Sequence, residues 1–395
     1  MGLISKKKSI GIGIGVAVIA LAVFAGVSKL KHTPKTNVIK IGHSAPLTGG
    51  SAHIGKDTEN GVRLAIEEVN ASGGLTIQGQ NYQLELVSED DAADPKIGTN
   101  AAQRLVDEGV VGVIGHVTSG VSIPANTIYA AASVAQISPA ATNPKYTSQS
   151  KRSPGGLIAA YRVVATDAKQ GPALASFAAD KLKVKTVALI DDSSEFGKGL
   201  VESFEAHATQ KGIQVVAREA VQTTDSNFKA ILTKIKQTKP DAIMFGGMGD
   251  LAAKLARQIK ELKLDVKLLG GDGVCNDSFI KIADDAANIL TCSEAGQPLE
   301  KAPKGKEFSN KFQARFKQPI VMYAHLSYDA TYLLINAIKN ANSIDRSLIL
   351  AQLPKTHYQG VAGLFEFDEI GDLKNAAVSI YQVKNNQKEL LDIVK

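Results

Sequence analysis

The stretch that decides the fold is Val110–Thr142, VVGVIGHVTSGVSIPANTIYAAASVAQISPAAT. An apolar run, Val110–Ile114, breaks at Gly115-His116. A small hydroxyl cluster, Thr118-Ser119-Gly120, and a helix-like segment, Ile123–Ala132, follow it. A second apolar stretch, Val134–Ile137, ends in Ser138-Pro139-Ala140-Ala141-Thr142. Twice in quick succession a strand of the buried type stops at a polar, small-residue turn. In an open α/β sheet, ligands lie at such carboxyl ends of strands. The free N–H groups and positive dipole end of a following helix suit a carboxylate, and Thr118, Ser119 and Thr142 add hydroxyl donors. No strong nucleophile with an evident base stands in the stretch, so the pattern points to holding a small anion and not to cutting one.

Outward from this stretch the chain alternates strand and helix. Val38–Ala45 is strand-like, Val62, Ala65, Ile66 and Val69 mark a helix face, and Tyr82–Val87 alternates as a strand. Ile97, Ala101, Ala102, Leu105 and Val106 mark the next helix. A second series follows Arg162, with strands at Thr186–Ile190, Ile213–Val216, Ala242–Phe245 and Val266–Leu269. Helical patterns near Ala173–Ala179, Leu200–Ala208, Phe228–Ile235 and Leu251–Ile259 separate them. Such alternation implies α/β architecture, parallel sheets with helices on both faces, in two doubly wound lobes. The loop Asn143–Gly156, rich in Ser, Pro, Lys and Gly, is the first candidate boundary between them. Further on, helices near Phe308–Phe316 and Leu326–Ile338 precede a strand pair, Gly363–Phe367 and Ala377–Val383, bracketing the turn Asp368–Leu373.

A length of 395 residues suits two domains. Lys6-Lys7-Lys8 precedes an uncharged apolar stretch, Ile10–Val27, the layout of a secretory signal. An uncleaved anchor helix is the alternative, since the stretch is long enough to span a bilayer. It holds no Cys, which excludes a lipoprotein signal, and Gly11-Ile12-Gly13-Ile14-Gly15 lacks both the spacing and the preceding strand of a dinucleotide loop. Residues 1–37 carry Lys6, Lys7, Lys8, Lys29, Lys31 and Lys35 and no acid, so the rest of the chain is balanced against its 39 acidic residues. Charge gives no case for nucleic-acid binding. The two cysteines, Cys275 and Cys292, are compatible with one disulfide or with two buried thiols.

The segments IGHSAPLTGGSAHIG (Ile41–Gly55), GVRLAIEEVNASGG (Gly61–Gly74), EDDAADP (Glu89–Pro95), VIGHVTSG (Val113–Gly120), ISPAATNP (Ile137–Pro144), DDSSEFGKG (Asp191–Gly199), GGDGVCN (Gly270–Asn276) and FDEIGDLK (Phe367–Lys374) occur in an order and spacing that carry a resemblance. From Ile39 to about Val383 the chain resembles the leucine/isoleucine/valine-binding proteins of bacterial ABC importers, which are type I periplasmic binding proteins. The resemblance implies two lobes joined by three crossings, with residues 38–165 plus 295–375 in the N-terminal lobe and 166–294 plus 376–395 in the C-terminal lobe. It implies that Ser119 and Thr142 bind a ligand carboxylate through hydroxyl and backbone N–H, beside Thr118 and Ala141. Ala140 would offer its carbonyl to the ammonium group, and Asp272 would pair with that group from the second lobe. Where relatives wrap the ligand side chain with aromatics, this chain has Ile54, Phe196 and Met248; Tyr323 is a further candidate for the cleft. Asp272 stands where close relatives have Glu, and their disulfide would need cysteine where Ala93 and Thr118 stand.

Other readings of these residues remain open. Ser119 also fits a helix N-cap, and Thr142, before Asn143-Pro144, a turn. His43 and His116 lie at strand ends without a second ligand at metal spacing, which favours structural roles. Asp90-Asp91 and Asp191-Asp192 do not read as paired catalytic carboxylates, because neighbours in a strand face opposite ways. The implied function is a non-enzymatic, monomeric receptor, exported to the periplasm and needing neither cofactor nor metal. It would take leucine, isoleucine or valine and deliver it to the permease subunits of an ABC transporter. A receptor of the same fold for another small amide or carboxylate, or a membrane-anchored amino-acid sensor, is the alternative.

Overall fold

The computed structural model describes residues 37–395. The signal or anchor reading of the N-terminus falls outside them.

The first series runs β1 (Asn37–Ala45), α1 (Ala52–Ala71), β2 (Leu75–Ile77), β3 (Gln80–Asp90), α2 (Pro95–Asp107), β4 (Gly112–Gly115), α3 (Ser119–Ala131), β5 (Ala135–Ser138), α4 (Lys145–Ser148) and β6 (Ala160–Arg162). Its strands form a six-stranded sheet in the order β2-β3-β1-β4-β5-β6, parallel except for β2. β4 and β5 are buried at every residue, as central parallel strands covered on both faces must be. α2 starts where Asp94 accepts from the N–H groups of Lys96 and Ile97, with Pro95 in its first turn.

The second series runs α5 (Asp167–Asp180), β7 (Thr186–Asp191), α6 (Glu195–Gln210), β8 (Gln214–Ala220), α7 (Lys229–Thr238), β9 (Ala242–Gly246), α8 (Gly249–Glu261), β10 (Lys267–Gly270), α9 (Asp277–Ala283) and β11 (Leu290–Glu294). The chain then builds α10 (Gly305–Phe316), α11 (Ala324–Ala341), α12 (Arg346–Leu350) and a small ribbon, β12 (Tyr358–Gln359) with β13 (Leu364–Phe365). It closes with β14 (Val378–Lys384) and β15 (Gln387–Val394) on the second sheet, ordered β15-β14-β11-β10-β9-β7-β8. α11 belongs with the first sheet, packing along α1. A Cβ on Gly61 would stand 2.1 Å from the Ala324 carbonyl oxygen, so the two helix backbones approach this closely only because Gly61 has no side chain.

The chain therefore passes between the sheets after β6, after β11 and before β14. The passages run side by side: Ala165 N–H donates to Ala295 O (3.0 Å), and Ser379 Oγ donates to Gly296 O (2.7 Å). Arg162, with a fully buried side chain, ties the loop after β5 to the third passage. It donates to Ala141 O (2.6 Å), Asn143 O (3.0 Å), Thr147 Oγ1 (2.8 Å) and Asp372 Oδ1 (2.6 Å).

Two expectations are corrected. The stretch Asn143–Gly156 is not where the chain leaves the first sheet, because β6 follows it and pairs in parallel with β5. The segments Gly363–Phe367 and Ala377–Val383 do not pair with each other. β13 joins β12, while β14 lies antiparallel between β11 and β15; only a single bridge, Phe367 to Leu373, spans the turn.

Cys275 and Cys292 are disulfide-bonded (Cα–Cα 5.5 Å), linking the loop after β10 to the middle of β11. They are 17 residues apart. A loop of that size restricts the unfolded chain by an amount equivalent to about 3 kcal/mol. The double variant Cys275→Ala/Cys292→Ala is expected to lose about that much in chemical denaturation, with a lowered midpoint and an increased denaturant slope.

Candidate functional site

A cavity of about 760 Å³ lies at the carboxyl ends of the strands of both sheets. The first sheet supplies the loop from β4 into α3. Thr118 takes the N-cap position in extended conformation, and its hydroxyl caps nothing; this buried Oγ1 has no partner among the described residues. Ser119 is the first helical residue, not the cap, and its Oγ accepts from Asn143 N–H (3.2 Å). Both line the cavity beside Gly120, and the helix presents its first N–H groups there, free of intrahelical partners. Ala140 lines it from the turn after β5, held by Ser138 Oγ, which accepts from the N–H groups of Ala140 and Ala141.

Ala141 and Thr142 are fully buried behind this lining. The Ala141 carbonyl is taken by Arg162, and the Thr142 carbonyl accepts from Asp167 N–H (2.9 Å). The Thr142 hydroxyl has no hydrogen-bond partner among the described residues.

Opposite stand Phe196 in the first turn of α6, Met248 just before α8, and Asp272 in the turn after β10. The Asp272 turn packs tightly: a Cβ on Gly273 would meet Phe196 at 2.7 Å and the Gly247 carbonyl at 2.6 Å. Ile54 in α1 and Tyr323 at the start of α11 complete the lining from the first lobe. Eight of the expected residues, Ile54, Thr118, Ser119, Ala140, Phe196, Met248, Asp272 and Tyr323, thus face one cavity.

The acid of the site is held on both oxygens. Tyr323 OH donates to Asp272 Oδ2 (2.8 Å) and Gln170 Nε2 to Oδ1 (3.0 Å). Burial pushes the Asp272 carboxyl above the usual range, while these donors oppose the shift. Asp167, at the start of α5, is pushed up to about 8, first by burial and then by the charge of Asp272. Further bonds close the cleft: Asn143 Nδ2 donates to Glu195 O (2.5 Å), and Lys145 Nζ pairs with Glu195 (3.1 Å).

Sequence reasoning missed Gln170 and Asp167. Asp167 looks like an ordinary first-turn acid, and only the topology brings α5 beside the Asp272 turn. Asp192 also lines the cavity, with Oδ1 accepting from Ser194 N–H (3.0 Å). The two strand-end histidines are engaged within the first lobe. His43 meets Ser88 Oγ (3.0 Å) and Thr58 Oγ1 (3.1 Å); His116 meets Asp91 (2.7 Å) and Tyr129 OH (3.1 Å). Another hollow, of about 530 Å³, sits by Val38, Gly109 and Ser133 at the amino ends of β1, β4 and β5. That is the end of an α/β sheet away from its ligand sites.

A family described as periplasmic binding protein matches residues 38–388. The leucine-, isoleucine-, valine-, threonine- and alanine-binding protein of Pseudomonas aeruginosa is 32% identical over 364 residues, 92% of this chain and 93% of the relative. The Leu/Ile/Val-binding protein BraC3 of Rhizobium johnstonii is 33% identical over 359 residues, 90% of this chain and 95% of its own. Among solved structures, the leucine-binding protein LivK of Thermotoga maritima superposes with a TM-score of 0.82 at 30% identity, covering 90% of this chain and 98% of that one. The branched-chain amino acid substrate-binding protein LivJ of Streptococcus pneumoniae, in complex with isoleucine, gives 0.81 at 28% identity, covering 91% and 99%. With that match spanning both sheets and all three passages between them, this chain belongs to the periplasmic binding protein family.

Proposed function

We propose that this protein is an extracytoplasmic receptor that captures a branched-chain amino acid between its lobes and delivers it to the permease of an ABC importer. The observation that carries the reading is the chemical asymmetry of the cavity. One wall offers a helix N-terminus with the Thr118 and Ser119 hydroxyls, and the facing wall offers the buried acid Asp272. A zwitterion needs donors at one end and an acceptor at the other. Its carboxylate lies against α3, with Thr142 supporting the wall from behind; its ammonium lies between the Ala140 carbonyl and Asp272. Ile54, Phe196 and Met248 surround an aliphatic side chain. Relatives named for leucine, isoleucine and valine, and a solved neighbour holding isoleucine, support this ligand class.

The lobes comprise residues 38–165 plus 295–375 and 166–294 plus 376–395. Closure buries both ligand charges against opposite walls, so the ligand binds the closed form better than the open one. The monomer releases it unchanged, outside the cytoplasmic membrane. Among the described residues no helix is long and apolar enough to cross a membrane.

The test is calorimetric titration of protein unfolded and refolded to strip bound ligand. Leucine, isoleucine and valine should bind, and 4-methylpentanoate, which is leucine without its ammonium group, at least about 100-fold more weakly. A folded protein that binds the deaminated acid as well as leucine would move the function to simple carboxylates.

A further inference from the structure

Gln170 is fully buried in α5 and grips Asp272 twice. Its Nε2 donates to Asp272 Oδ1 (3.0 Å), and its Oε1 accepts from Asp272 N–H (3.3 Å). The same Oε1 accepts from Ser293 Oγ (2.8 Å), in β11 just before the chain returns to the first lobe. A weaker donation reaches Asp167 Oδ1 (3.4 Å). Only an amide meets this demand, with donors toward two carboxyl groups and an acceptor toward an N–H and a hydroxyl; an ionised carboxylate has no donor and an ammonium no acceptor.

The paired contact to the side chain and backbone of one residue closes a ring that fixes the Asp272 carboxylate. Tyr323 holds the other oxygen from the opposite lobe. Each carboxylate oxygen keeps lone pairs beyond these bonds, and Asp272 lines the cavity. Gln170 itself does not line it, so its influence on a ligand passes through Asp272.

We infer that Gln170 is the positioning residue for amine recognition, aiming Asp272 at the ligand ammonium and joining that acid to the strand that leads into the second passage between the lobes. This rests on the reading of Asp272 as the ammonium partner. A positioning role differs from a merely structural one in what it affects. Loss of Gln170 weakens ligands that carry an ammonium group and spares those that lack it, whereas a damaged fold weakens both.

The experiment titrates the full chain, as wild type, Asp272→Asn, Gln170→Met and Gln170→Asn, with leucine and with 4-methylpentanoate. Wild type should prefer leucine strongly. Gln170→Met, which keeps the length of the side chain, should reduce that preference about tenfold or more, the scale of one hydrogen bond to a charged group. The reduction should come from leucine, with the affinity for 4-methylpentanoate kept within about threefold. If Gln170→Met does not fold, Gln170→Asn keeps the polar amide but is one methylene too short to reach Asp272, and should give the same selective loss. An unchanged preference in the folded variants, or equal loss of both ligands, overturns the inference. Wild type without preference overturns the reading of Asp272 and the inference with it. A preference lost in Asp272→Asn but kept in both Gln170 variants leaves that reading standing and removes Gln170 alone.

Discussion

Asp272→Asn should weaken leucine binding about 100-fold or more in calorimetric titration, because it leaves a desolvated ammonium group without its countercharge, a loss of about 2–5 kcal/mol. The volume of the side chain is kept, its amide oxygen can still accept from Gln170 Nε2 and its amide nitrogen can donate to the Tyr323 hydroxyl, so the fold should persist with an unfolding midpoint near that of wild type. The variant also removes the charge that helps raise the Asp167 carboxyl, so the Asp167 titration should move down toward ordinary carboxylate values. The site would then have lost its charge selectivity and kept its shape. Equal affinity of wild type and Asp272→Asn for leucine would rule out the ammonium pairing.

The second large effect lies outside the cavity. Arg162→Met is expected to destabilise the protein by about 3–5 kcal/mol, the cost of breaking a buried, hydrogen-bonded ion pair. Methionine fills part of the space but satisfies none of the groups Arg162 binds. The carbonyls of Ala141 and Asn143 are left buried, and Asp372 loses its countercharge, keeping the Thr147 hydroxyl. The same carbonyls fix the turn that carries Ala140 into the cavity, so leucine affinity should fall together with the denaturation midpoint. A variant with wild-type stability in urea would show that these groups find water or other partners instead.

Most of the fold was legible because its signals are local. Apolar runs such as Val110–Ile114 and Val134–Ile137 end in small polar turns, and a parallel strand buried on both faces admits little else. The cavity wall at Thr118–Ser119 was legible for the same reason, since a strand end followed by a helix start is written in consecutive residues. The misreadings came where composition competes with pairing. Asn143–Gly156 has the residues of a linker, but whether a chain leaves a sheet is decided by the next strand, and β6 is only three residues long. The third passage was misread as a hairpin because two strand-like runs flank a turn, while each pairs elsewhere, β13 with β12 just before it and β14 with β15 just after it and with the distant β11. Gln170 was invisible for a related reason. Its partners Asp272 and Ser293 are 102 and 123 residues away, and nothing in DAKQGPALA distinguishes a buried clamp from an ordinary polar helical residue.

The three passages also govern the order in which the molecule can be completed as it is made. Neither lobe is one continuous length of chain. The first lacks α11, which packs along α1, until residues well past β11 have been made. The second lacks β14, the neighbour that covers the edge of β11, until α10, α11 and α12 have been added to the first. A chain emerging from its amino end therefore exposes an unfinished sheet edge or an uncovered helix face in one half while the other is being assembled. Such edges invite wrong partners. Contacts between distant parts of a chain also form slowly. The two halves should accordingly gain and lose their structure together, in one cooperative transition. A cut at any single passage should leave fragments that aggregate instead of independent lobes.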